Sequence, residues 1–145
     1  MSTYWVIERG RVEPAVFFRQ LASHFPQATT LFFEGTSIDP AVEAILSAHA
    51  EPGPHLPGRQ TMHPVSSIFR CKASSQFFAQ LEGLSTRHAV PEISDHVYGY
   101  VGKTELVGFP DFCANEIYLS PSISEEAVRR FASNLQLKYW RHENG

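Results

Sequence analysis

The sequence predicts an α+β domain with a single mixed or mainly antiparallel sheet and helices packed mainly on one face. Three observations lead there. Strands alternate with amphipathic helices along most of the chain. The stretch from Pro91 to Ser120, PEISDHVYGYVGKTELVGFPDFCANEIYLS, reads as a hairpin followed by a third strand. The connections between those three strands are too short for the crossovers that a doubly wound parallel sheet requires.

Each element has a local reason. Tyr4 to Glu8 is the first strand, ended by Gly10. Pro14 sits where the first turn of a helix tolerates proline. Phe17, Phe18, Leu21, Ala22 and Phe25 then recur at helical spacing, and the helix ends before Pro26. Ala28 to Glu34 is β-branched at its start and closes on Gly35, the pattern of a strand. Asp39-Pro40 offers a capping side chain and a proline at the first helical position. Val42, Ile45, Leu46 and His49 form that helix's apolar stripe. Glu51 to Pro64, with four prolines and two glycines, cannot continue a helix or a central strand. Ser67 to Lys72 is the next strand, and Ser74 or Ser75 caps a helix carrying Phe77, Phe78, Leu81 and Leu84. In the hairpin, His96, Tyr98 and Tyr100 share one strand face, Gly102-Lys103 makes the turn, and Thr104 to Phe109 returns. Glu116 to Leu119 resumes the sheet. Ser122-Ile123-Ser124-Glu125 is read as a capping box before a helix that buries Val128, Phe131, Ala132 and Leu135. The expected order is βαβα-βαβββα, in one domain spanning residues 1–145.

The letters also suggest an internal duplication. FFRQL at Phe17 to Leu21 matches FFAQL at Phe77 to Leu81, and SIDPAVEAIL at Ser37 to Leu46 resembles SISEEAVRRF at Ser122 to Phe131. Two helices docking on one sheet would want the same apolar pairs, so convergence is the competing explanation.

Composition narrows the function classes. The chain has 145 residues, 43% hydrophobic and 19% charged, with eleven Phe that fall mostly at core spacing. A formal charge of −3 with no run of Lys or Arg argues against a nucleic-acid partner. No apolar run reaches the ~18 residues of a membrane span, and no signal peptide is visible. Cys71 and Cys113 lack a C-x-x-C spacing and are expected as reduced thiols in the cytoplasm.

No motif specifies a reaction. A site built from His55, His63, His96 and Asp95 has poor spacing for zinc, so no metal and no cofactor is expected. Asp95 and His96 point to opposite faces of a strand, which leaves Asp111 to pair with His96 across the hairpin or simply to start a turn. Cys113 has no neighbouring base to activate it. There is no nucleophile elbow, P-loop or dinucleotide fingerprint. The Glu51 to Pro64 loop carries His55, Arg59, Met62 and His63, residues suited to contacting a partner, on prolines that lower the cost of ordering it. Tyr98 and Tyr100, with Tyr118, form either an aromatic contact patch or a surface half-buried under the last helix.

The HLPGRQTMHP loop, the PEISDHVYGY strand and the acidic turn leading into IYLSPSISEEAV resemble a group of small uncharacterised bacterial α+β proteins. The resemblance covers roughly the last two-thirds of the chain. It implies a bacterial, cytoplasmic, single-domain protein and brings no activity with it. Relatives in that group carry a Trp-His-Asp-like run after the hairpin, where this chain has Phe109-Pro110-Asp111, and the missing histidine weakens an enzyme reading.

Three functional expectations follow. The first is a binding module for a protein partner, such as an immunity protein neutralising a bacterial toxin, contacting it through His55, Arg59, Met62, His63, Tyr98 and Tyr100. The second is a small hydrolase or metal-assisted enzyme using His63, His96 and Asp111. The third is a homodimer pairing through an exposed sheet edge.

Overall fold

The computed structural model describes residues 3–25, 30–53 and 67–143. The strands are β1 (Thr3–Ile7), β2 (Thr30–Gly35), β3 (Ser67–Lys72), β4 (His96–Val101), β5 (Thr104–Phe109), β6 (Ile117–Leu119) and β7 (Tyr139–Glu143). The helices are α1 (Pro14–His24), α2 (Pro40–Ala48), α3 (Ser75–Ser85), the single turn α4 (Val90–Ile93) and α5 (Glu125–Asn134). The strands form one sheet in the order β3-β2-β4-β5-β6-β1-β7, and every neighbouring pair is antiparallel. The fold is therefore α+β with a single antiparallel sheet, and α4 and β7 are additions to the expected order.

Strand alternation sorts the sheet into two faces. Ile7, Leu31, Phe33, Val97, Val107, Phe109, Ile117 and Leu119 turn to the helices and join one core with Phe17, Phe18, Phe77 and Phe131. Phe17 is its hub, with ring centroids 5.0 Å from Phe109, 5.6 Å from Phe18 and Phe112, and 6.2 Å from Phe131. The opposite face carries a continuous row set by register: Arg70, Phe32, Tyr98, Gly108, Tyr118, Val6 and Trp140. Tyr98 and Tyr100 thus lie on the face away from the helices rather than beneath the last one.

The caps explain the helix starts. Asp39 accepts from Ala41 N at 2.8 Å and Ser74 from Phe77 N at 3.1 Å. At α5 the cap is Ser124, which accepts from Ala127 N, so the N-cap lies two residues beyond the expected Ser122 and Ala127 at the third helical position leaves the box without its carboxylate. Ser122 is occupied instead with Ser120, their hydroxyls 2.8 Å apart.

The duplication does not extend to topology. β1 and β2 are separated by three strands, whereas β3 and β4 are separated by one. FFRQL and FFAQL hold similar places in the packing: α1 and α3 lie side by side and each buries its Phe pair. The two sheet edges also differ. Beside β3, Glu51 N donates to Arg70 O at 2.9 Å and Lys72 N to His49 O at 3.1 Å. β7 forms the other edge, with Trp140 42% exposed.

One histidine couples this packing to pH. His24, in the last turn of α1, lies tilted against Phe131 with ring centroids 5.8 Å apart, and its pKa is lowered first by burial and then by the positive charge of Arg130. The unfolded chain takes up that proton near the ordinary value of about 6.5 while the folded chain still resists it, so stability is complete above that value and declines as pH falls below it. Thermal melts at pH 7.5 and pH 5 should show a smaller acid-side loss for His24→Gln than for the parent chain. An equal loss in both would assign the acid sensitivity to other groups.

Candidate functional site

Two depressions flank the β4–β5 hairpin. The first lies at its open end and gathers the residues that sequence reasoning nominated for chemistry. It has a volume of about 590 Å³ and is lined by Thr36, Ser94, Asp95, His96, Asp111 and Cys113, among others. The segment after β5 makes it: Asp111 and Cys113 adopt φ of 46° and 67°, a conformation that non-glycine residues rarely take. Those two reversals send Phe112 into the core and turn the Asp111 backbone towards β4.

His96 and Asp111 do meet, but not as a base and its orienting carboxylate. The Asp111 backbone N–H donates to His96 Nδ1 at 3.0 Å. Accepting at Nδ1 places the neutral ring's proton on Nε2, so the exposed nitrogen is a donor. General-base chemistry at Nε2 needs the other tautomer, with Nδ1–H held by an acceptor. The Asp95 carboxylate is directed to Thr36, accepting from its backbone N at 2.9 Å and its hydroxyl at 3.1 Å. Ser94 is fully buried, and its hydroxyl lies between the carbonyls of Glu34 and His96 at 3.1 and 2.6 Å. Cys113 is pushed up to about 12, first by burial and then by the charge of Glu13, which keeps it a thiol at neutral pH. Cys71 is pushed to about 12 in the same way, by burial and then Glu51, and both cysteines are free. Polar side chains are thus brought together here, but their hydrogen bonds lock backbone rather than prepare a nucleophile. His63, the third member of the expected enzyme site, lies outside the described residues, as do His55, Arg59 and Met62 of the proline-rich loop.

The second depression holds Tyr98 and Tyr118 of the expected aromatic patch and adds Tyr4, Glu105 and Gly108, which the sequence reading does not nominate. It is a cleft of about 340 Å³ on the face away from the helices, lined by Tyr4, Tyr98, Glu105, Gly108, Tyr118 and Ser120, among others. Its floor exists because Gly108 interrupts the cross-sheet row between Tyr98 and Tyr118. A methyl group at Gly108 would lie 3.5 Å from both Glu105 Oε2 and Tyr98 Cδ1, ordinary contact that would fill the floor. A register shift between Gly99 and Tyr100 sets Glu105 opposite Tyr100, whose hydroxyl donates to Glu105 Oε1 at 3.2 Å. Tyr4 packs edge-on against Tyr118 at 5.7 Å and stacks on His142 at 4.6 Å. Tyr118 donates to Glu116 at 3.1 Å, and its pKa is raised by burial and then by that carboxylate, so it remains a donor. Tyr98 is only 5% exposed and contributes a wall, while Tyr100 is half-buried and acts through Glu105. The signal available in the sequence was Tyr98 and Tyr118 on alternating strand positions with a glycine at 108, but the register that aligns them is a tertiary fact.

Among the described residues, no helix is long and apolar enough to cross a membrane. Comparison with protein-family models, with curated proteins and with solved structures finds no match to this chain.

Proposed function

We propose that the protein is a bacterial, cytoplasmic binding module for a protein partner, and that it serves as an immunity protein neutralising a basic toxin. The cleft between Tyr4, Tyr98 and Tyr118 is the observation that supports this reading. Three aromatic rings and the Glu105 carboxylate suit the stem and head of a Lys or Arg side chain, which gains ring contact and charge pairing together. The net charge of −3 steers a basic partner towards the module. The hydrolase reading draws less support, because His96 presents a donor and Cys113 stays protonated.

The partner to test is a basic toxin encoded beside this chain, titrated by calorimetry. Glu105→Gln should weaken the complex by about thirtyfold or more, the loss expected when one member of a buried charge pair is removed. Gly108→Ala, which fills the floor without backbone strain, should weaken it as well. Absence of a complex overturns the immunity reading. A complex indifferent to both substitutions removes the cleft as its contact surface.

A further inference from the structure

A third group of side chains lies apart from both depressions' polar networks. Asp39 at the start of α2, His88 before α4 and Glu92 within α4 each turn one ligand atom to a common point, all within 4.8 Å of one another. His88 Nδ1 is 4.0 Å from Asp39 Oδ2 and 3.9 Å from Glu92 Oε1. Those separations are too long for hydrogen bonds. They suit donors that share a cation: an ion centred among them would lie about 2.4 Å from each, and a small closure reaches the roughly 2.0–2.2 Å of zinc.

The arrangement is held before any ion arrives. Asp39 Oδ2 also accepts from Ala41 N, and Glu92 Oε1 from Ala89 N, both at 2.8 Å. Asp39 N donates to Glu92 O at 2.8 Å, which fixes the two carboxylate-bearing segments to each other. The His88 side chain is 15% exposed, so its ring is held in place while Nδ1 faces the two carboxylates. The geometry points to a divalent transition-metal site at Asp39, His88 and Glu92, with zinc the best-suited ion. One imidazole and two carboxylates favour zinc over calcium or magnesium, which prefer oxygen donors alone. Three protein ligands leave a fourth position for solvent. Bound there, the ion joins the start of α2 to the α3–α4 connection, independently of the toxin-binding proposal.

Cobalt(II) added to the full chain, freed of metal beforehand, is the direct test. One equivalent should give the intense visible d–d absorption of a four-coordinate site, and zinc should displace it. Zinc should also raise the thermal midpoint. Asp39→Asn and Glu92→Gln keep an oxygen for the backbone N–H groups, so both variants should remain folded. Each should weaken zinc by more than about tenfold, the loss seen even for groups that only support a ligand. His88→Ala should abolish the cobalt spectrum, while His96→Ala should leave it intact. No d–d band in the parent chain, or a band that survives His88→Ala or both carboxylate variants, overturns the site.

Discussion

Phe17→Ala should cost about 3–5 kcal/mol, the range for emptying a large aromatic site in a core. The fully buried Phe17 ring contacts aromatic rings from four other positions: Phe18 beside it on α1, Phe109 on β5, Phe112 in the reversal after β5, and Phe131 on α5. A single hole would therefore loosen three separate parts of the chain at once. Against a total stability of roughly 5–15 kcal/mol, the loss is a large share. The thermal midpoint should fall by about 10–20 °C. Urea unfolding with an unchanged slope would confirm that stability, rather than compactness, has moved. A loss below about 1 kcal/mol would mean that the surrounding rings collapse into the gap, contrary to the packing described.

Trp5→Ala should cost a similar amount, again about 3–5 kcal/mol, for a different reason. Trp5 ties the segment that enters α5 to the outermost strand. Its Nε1–H donates to Ile123 O at 3.0 Å, its ring meets Tyr139 edge-on at 6.1 Å, and the Arg141 guanidinium sits 5.4 Å above it. β1 lies between β6 and β7, so loss of this ring weakens the approach to α5 and the hold on the outermost strand together. Trp5→Phe separates the terms. It keeps a ring for Tyr139 and Arg141 but deletes the donor, so it should recover more than half of the loss. Hydrogen exchange should show the amides of β7 opening first in Trp5→Ala. If those amides stay as protected as in the parent, Trp5 is not what secures β7.

The parts of this fold that were legible from sequence are those whose reasons are local. Asp39-Pro40 marked a helix start because a cap and a proline act on adjacent residues. The hairpin was readable because Gly102, at φ 60°, sits where a tight turn requires that conformation. β7 was not readable. The chain reverses out of α5 at Gln136, whose φ of 59° carries no glycine to announce it, and YWRHE puts Arg141 and Glu143 on the same face as Tyr139, so no apolar face announces the edge strand. The candidate sites divide in the same way. That His96 and Asp111 are near each other follows from a hairpin, but that the link is a backbone N–H depends on two left-handed residues, Asp111 and Cys113. The Asp39–His88–Glu92 group was invisible because α4 was hidden within a stretch read as the approach to a strand.

The place of β1 bears on how the chain can be made. During synthesis, β1 emerges early yet has no partner until β6 and β7 follow, and Trp5 must wait for a carbonyl 118 residues downstream. The pairs β2–β3 and β4–β5 can assemble sooner, because their partners lie nearer in sequence. Until the later strands leave the ribosome, Tyr4-Trp5-Val6-Ile7 is an apolar strand with both edges open, the kind of segment that chaperones shield and that aggregates when they do not.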